Sequence, residues 1–307
     1  MIYLDNAATS RPKPPEVIDA MVNYMTNVCA NSGRSGHRLA IEASRIVYNT
    51  RSAIAELFNI NDPLRVIFTM NATEGLNLAI KGLLKESDHV ITSSMEHNSV
   101  MRPLRAMERH GLSVTTVKCS EKGFLDPIDI RKAIMANTKA IILNHASNVI
   151  GSIAPVEKIS EIAKEHELIL ILDSAQTAGS YPIDVQKLGL DLLVFTGHKS
   201  LLGPTGIGGV YIREGIDPEP LKYGGTGSRS EEEYQPDFVP DKYESGTLNI
   251  VGIAGLGAGV NFILREGVES IRKKEIELTQ KLIDGLSSIP KVILYVGREA
   301  KEQIGIV

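Results

Sequence analysis

With 307 residues, 43% of them hydrophobic and 23% charged, the chain has material for one large domain and a smaller one. A formal net charge of -4 gives no electrostatic reason to expect a nucleic acid or an anionic membrane as partner. The opening Met1 to Asn6 lacks a basic region followed by an apolar stretch, and no run approaches about 20 apolar residues, so a cytoplasmic protein is expected. Cys29 and Cys119 stand at no metal-ligand spacing; a disulfide framework and a zinc site are both excluded, and the pair reads as small buried hydrophobes.

Residues 16–28 and 38–58 carry helical patterns ahead of the first strand. Apolar runs at 66–68, 89–92, 114–117, 140–143, 169–172 and 192–195 predict strands, and amphipathic helices fill the gaps between them. That alternation is the signature of an α/β fold, a mostly parallel central sheet flanked by helices. The segment 155–166 shows the pattern well, with Val156, Ile159, Ile162 and Ala163 on one helical face. Gly203 to Gly209 reads as a small-residue loop, and the absence of a following Lys-Ser or Lys-Thr excludes a P-loop. From about 210 to 250 the pattern is irregular and reads as an extended functional loop. Apolar helices begin near Leu248 and Gly267; Gly255, Gly257 and Gly259 fall inside the first and signal close helix packing rather than a dinucleotide fingerprint. A strand-like run follows at 292–296, and the chain stops at Val307 in what reads as the middle of a domain.

The residues with chemical potential follow the strands. Thr196-Gly197-His198-Lys199 closes one apolar run, and Asp173 ends another twenty-six residues upstream, so an amine and a carboxylate are expected at one edge of the sheet. That pairing suits pyridoxal 5'-phosphate: the lysine forms a Schiff base with the aldehyde, and the aspartate keeps the pyridine nitrogen protonated. A helix N-cap is the competing role for Asp173. Asn71-Ala72-Thr73-Glu74 opens a helix and suits either a phosphate or simple capping by Asn71 or Thr73. His97 follows the second strand, as an imidazole that stacks on a cofactor or exchanges protons, or as an ordinary solvent-facing loop histidine. Asn148 follows the fourth strand, as a donor to a phenolic oxygen or as part of an Asx turn.

In this order, Asn71-Ala72-Thr73-Glu74, Glu96-His97-Asn98, Ser147 to Gly151, Asp173-Ser174-Ala175-Gln176 and Thr196 to Lys199 resemble the class V aminotransferase family of fold-type I pyridoxal-phosphate enzymes, specifically its cysteine desulfurase and selenocysteine lyase group. The match begins at Tyr3-Leu4-Asp5-Asn6-Ala7-Ala8-Thr9 and runs to the last residues. The resemblance implies Lys199 as the cofactor-holding lysine, Asp173 on the pyridinium nitrogen and His97 stacked over the ring. It implies Gln176 and Asn148 near the ring's O3' and the substrate, and Ala72, Thr73, Thr196 and His198 at the phosphate. Ser245 to Asn249 resembles a loop given by a partner subunit, which makes Thr247 the expected donor across a homodimer.

The implied activity converts L-cysteine to L-alanine and passes sulfur to an enzyme thiol as persulfide, with a sulfur-acceptor protein as a further partner. Selenocysteine lyase chemistry, another class V reaction, or a silent cofactor-binding scaffold are the alternatives. The implied division is 1–15 as an N-terminal segment of the small domain, 16–250 as the large cofactor-binding domain, and 251–307 as a connecting helix and the start of an incomplete small domain. Neither cysteine matches the family's nucleophile, and its carboxylate-binding arginine is not identifiable, so this chain is expected to be a truncated form, impaired in turnover.

Overall fold

Seven strands form one sheet: β1 (Val66–Thr69), β2 (His89–Ser93), β3 (Ser113–Val117), β4 (Thr138–Asn144), β5 (Ile169–Asp173), β6 (Leu192–Thr196) and β7 (Gly208–Ile212). The computed structural model describes residues 2–33, 36–229 and 231–307. Their spatial order is β1-β7-β6-β5-β4-β2-β3, and β7 alone runs against its neighbours. The parallel pairs register in step, with Ile141 opposite Leu170 and Asp173 opposite both Asn144 and Val194.

Both faces of this sheet are covered, which explains why its strands read as continuous apolar runs rather than alternating ones. Period-two geometry divides each run between two cores. Leu170 and Leu172, Ile141 and Leu143, Leu193 and Phe195 point into one; Ile171, Ile142, Leu192 and Val194 point into the other. The second core is closed by α3 (Ala72–Leu83) through Leu76, Ala79 and Ile80 and by α4 (Asn98–Glu108) through Val100 and Leu104. Closing the first are α2 (Arg38–Phe58), α5 (Pro127–Lys132), α6 (Val156–Glu165), α7 (Val185–Leu188) and α8 (Ile250–Glu266). Helix α8 packs on α2 and on α1 (Pro15–Asn23), which runs into a turn of π-helix at Tyr24–Val28. A Cβ on Gly257 would meet Thr50 Oγ1 at 2.4 Å and one on Gly259 the Leu201 carbonyl at 2.4 Å, so the glycines serve close packing as expected. Among the described residues, no single helix is long and apolar enough to cross a membrane.

Two segments depart from the sequence reading. The run after Gly206 is no mere loop, for β7 begins at Gly208 and enters the sheet between β1 and β6. Its glycines disguise it but are required, because a Cβ on Gly209 would meet the Phe195 ring at 2.5 Å. Conversely, Val292 to Val296 forms no strand. Among the described residues no strand lies beside it to complete a ladder, and only Val296 is buried, in a small cluster with Ile283 and Ala300. The segment following it docks instead on the turn after β4, where Ile304 N–H donates to the Gly151 carbonyl at 2.9 Å. The long helix α9 (Val268–Ser287) holds this segment through Arg272, which donates to the Gln303 carbonyl at 2.8 Å.

One buried ion pair ties the N-terminal half to the segment before α8. Arg51, 3% exposed, donates to Glu244 at 2.5 Å and to the Val66 carbonyl, and Phe68 N–H donates to the second Glu244 oxygen at 2.6 Å. Removing one partner leaves the other charge buried and uncompensated. Glu244→Ala is therefore expected to cost about 3–5 kcal/mol, read as a lowered midpoint in urea unfolding.

Candidate active site

Because β1, β2, β4, β5 and β6 are mutually parallel, the segments that leave them gather at one edge, where α/β folds bind ligands. A cavity of about 260 Å³ opens there. Nine of the ten residues singled out from the sequence line it: Ala72, Thr73, His97, Asn148, Asp173, Gln176, Thr196, His198 and Lys199. The tenth, Thr247, is exposed and lines a separate cavity of about 230 Å³ beside Tyr48 and Arg51.

Asp173 ends β5 and is buried, with one oxygen accepting from the Ala175 N–H at 2.9 Å. It thus closes a turn rather than capping a helix. Burial raises its pKa, while the Ala175 N–H, Lys199 and His97 pull it back. Lys199 responds in the opposite sense: burial lowers its pKa, against the attraction of Asp173. A lowered amine is a better nucleophile near neutrality, and a carboxylate with a raised pKa gains from any cation brought beside it.

The tip of α3 offers free backbone donors. Asn71 accepts from Glu74 N–H at 3.0 Å through its side chain and from Gly75 N–H at 3.3 Å through its carbonyl. Capping by Asn71 is therefore real, yet it leaves the N–H groups of Ala72 and Thr73, which have no carbonyl one turn back. Beside them, Thr196 Oγ1 and His198 Nδ1 are buried with no hydrogen-bond partner among the described residues. Burial, with Lys199 and then Lys13, also lowers the His198 pKa. Unspent amides at a helix start, an unpartnered hydroxyl and an unpartnered imidazole nitrogen suit the oxygens of a phosphate. This donor set, facing Lys199 and Asp173, fits pyridoxal 5'-phosphate.

His97 is exposed toward the cavity and also caps α4: its Nδ1 accepts from Ser99 N–H at 3.1 Å. In the neutral ring the proton therefore sits on Nε2. Ser99 Oγ lies 2.9 Å from the same Nδ1 and 2.7 Å from Thr73 Oγ1, which joins the imidazole to the α3 tip. The turn after β4 is closed by Ser147 Oγ, which accepts from Val149 and Ile150 N–H. Asn148 is thus not consumed by an Asx turn. Gln176 Nε2 donates to the Ala7 carbonyl at 3.2 Å, drawing the N-terminal segment to the cavity.

Several participants were given no role from the sequence. Asn144, the last residue of β4, lines the cavity and donates through Nδ2 to the Met95 carbonyl at 2.7 Å. Glu96 accepts from Ser93 Oγ at 2.6 Å and from Asn144 N–H at 2.8 Å. Burial, reinforced by Asp173 and opposed by those two bonds, pushes its pKa up to about 8. Lys13, lowered by burial to about 8, reaches the His198 carbonyl. Cys29 is exposed, Cys119 is buried, and neither lines the cavity, nor does any arginine among the described residues.

The sequence matches the family described as Aminotransferase class-V over residues 2–307, and the chain belongs to that family. A probable cysteine desulfurase of Methanothermobacter thermautotrophicus is 34% identical over 299 residues, covering 96% of this chain and 74% of that protein. The apo structure of a cysteine desulfurase from Thermococcus onnurineus superposes with a TM-score of 0.93 at 36% identity, over 99% of this chain and 77% of its own. A structure titled SspA in complex with cysteine matches with a TM-score of 0.76 at 32% identity, over 85% and 72%. The chain is thus an α/β enzyme of the class V aminotransferase family, as its motifs implied.

Glu96 gives the site a pH signature. Its folded pKa lies above the unfolded carboxylate value, so its contribution to stability is complete at low pH and is lost as pH rises through about 8. Glu96→Gln, which cannot ionise, is expected to gain stability relative to the parent between pH 5 and pH 8. Urea unfolding of both proteins at the two pH values checks this; a constant difference would refute the protonated state.

Proposed function

We propose that this chain is a pyridoxal 5'-phosphate enzyme of the cysteine desulfurase kind, acting on L-cysteine to give L-alanine and passing sulfur to a thiol as persulfide. The observation that carries the reading is that Lys199 and Asp173 line one cavity with Thr196 Oγ1 and His198 Nδ1, phosphate-suited groups that lack hydrogen-bond partners among the described residues. The names of the cysteine desulfurase relatives support the reaction, and the cysteine bound to SspA supports the substrate.

When bound, the cofactor supplies an electron sink for the bonds at the substrate's Cα. Lys199 would hold it covalently and would carry a proton to and from the substrate's Cα. Asp173 would hold a proton on the pyridine nitrogen by ion pairing. Ala72, Thr73, Thr196 and His198 would bind the phosphate through N–H, hydroxyl and imidazole groups. His97 would present an aromatic face and an Nε2 proton, and Asn148 and Gln176 would donate to the phenolic oxygen and the substrate.

Turnover also needs a thiol nucleophile and a cation for the substrate carboxylate, and among the described residues the cavity lining contains neither cysteine nor arginine. We assign both to groups outside this lining. The exposed position of Thr247, away from its own chain's cavity, supports its donation to the site of a second copy in a homodimer. A division into a large domain (16–250) and a smaller one built from 1–15 and 251–307 is supported by the separate cluster around Ile283 and Val296. Two free cysteines fit a reducing cytoplasm.

Borohydride reduction of the cofactor-loaded protein is expected to fix the label on Lys199, and the loaded protein is expected to exchange the Cα proton of L-cysteine in deuterated water. Lys199→Ala should lose both signals; label on another lysine would overturn the assignment. Asp173→Asn should retain part of the cofactor but slow Cα exchange by about 100-fold, the scale of removing one preorganised electrostatic contact. Exchange at the parental rate would exclude the ion-pair role.

A further inference from the structure

His198 and Lys199 share one peptide plane, so whatever fixes the His198 carbonyl also fixes the backbone from which the Lys199 side chain departs. The loop after β6 restrains its other carbonyls itself: Gly203 N–H donates to Gly197 at 2.8 Å and Leu202 N–H to Lys199 at 2.9 Å. Among the described residues, the His198 carbonyl receives its donors only from an N-terminal strap. Ser10 N–H reaches it at 3.0 Å, Thr9 Oγ1 at 3.1 Å, Ser10 Oγ at 3.2 Å and Lys13 Nζ at 2.7 Å. Four donors exceed the two lone pairs of one carbonyl, and the ammonium, shortest and charge-assisted, is the strongest of them.

Lys13 also organises the rest of the strap. It donates to Ser10 Oγ at 2.7 Å, and that hydroxyl reaches the Lys199 carbonyl at 2.8 Å. Lys13 thus touches both carbonyls of the 198–199 pair, His198 directly and Lys199 through Ser10, beside the Leu202 N–H that the loop itself gives to Lys199. The strap is itself internally braced, since the single Tyr3 Oη proton is shared between the Asp5 carbonyl at 2.8 Å and the Thr9 carbonyl at 3.1 Å, and Arg11 N–H donates to Asn6 Oδ1. Gln176, across the cavity, secures it at Ala7.

We propose that Lys13 is a positioning residue for Lys199, fixing the 198–199 peptide through the His198 carbonyl and so aiming the reactive amine into the cavity. The proposal rests on the reading of Lys199 as the cofactor-holding lysine, but its first test needs no cofactor. Competitive acetylation of the cofactor-free protein across pH, with peptides quantified by mass spectrometry and exposed Lys85 as internal reference, gives the titration midpoint of Lys199. In Lys13→Met the strap loosens, the amine gains water, and the midpoint is expected to rise, because burial is what lowers it. Ser10→Ala, a smaller perturbation of the same network, should move it in the same direction. Lys13→Arg, which restores charge and donors, should return it toward the parent.

In cofactor-loaded protein, Lys13→Met is expected to release pyridoxal 5'-phosphate about tenfold faster on dilution, the effect of losing one hydrogen bond to a charged group. An unmoved Lys199 midpoint in both Lys13→Met and Ser10→Ala overturns the positioning role, even if cofactor is still trapped on Lys199. A shifted midpoint with no trapping on Lys199 in the parent supports the positioning role and rejects the functional reading instead.

Discussion

Lys199 and Asp173 stand at the ends of two adjacent parallel strands and share one cavity, in which Asp173 is buried and Lys199 half-buried. Burying either charge alone would cost several kcal/mol, and their mutual attraction offsets part of that penalty. The offset is incomplete in both directions: the amine stays less basic, and the carboxylate less acidic, than in water. Such a pair is reactive because it is imperfectly satisfied. Its most economical resolution is a ligand that takes up the amine covalently and gives the carboxylate a cation to face.

The remaining groups answer to that pair. Glu96 is linked to the Asp173 strand through Asn144, and its raised pKa keeps a second negative charge away from a site that has use for only one. A neutral Glu96 still accepts from Ser93 and Asn144, so it holds the loop carrying His97 without competing with Asp173 for protons. Toward the other end of the cavity, uncharged donors dominate: backbone amides of α3, the Thr196 hydroxyl and an imidazole kept neutral by burial and nearby lysines. Charge is thus concentrated at Lys199 and Asp173 and uncharged donors beside the start of α3, a division that under the proposed function separates the reacting bonds from the held phosphate.

How far this was legible in the sequence depended on how local each determinant is. Most of strands β1 to β6 announced themselves because burial on both faces leaves apolar runs, the edge strand β3 with its Val-Thr-Thr-Val being the exception, and most of the candidate site residues followed because they lie at or just beyond the end of a strand. Strand β7 was hidden by Gly208 and Gly209, glycines whose requirement is steric and appears only once Phe195 is seen against them. Val292 to Val296 misled for the converse reason: its composition suits a strand, but pairing is a property of neighbours. Asn144 and Glu96 meet across 48 residues, a contact no spacing rule encodes. Lys13, between two prolines in an otherwise unremarked segment, finds its partner 185 residues away.

That last distance bears on how the site comes into being. The sheet can register its strands, and both cores can close, while the His198 carbonyl still faces water; only docking of the N-terminal strap completes the peptide from which Lys199 projects. The strap contributes polar contacts more than apolar burial, with Ile2 and Leu4 at its start almost fully exposed, so it belongs to the low-stability end of the structure. Opening it would leave both cores intact while freeing the His198 carbonyl and with it the peptide from which the Lys199 side chain departs. Scaffold stability and site readiness are therefore separable quantities in this fold, the first resting on the apolar strands and the second on a short polar segment that the strands do not need.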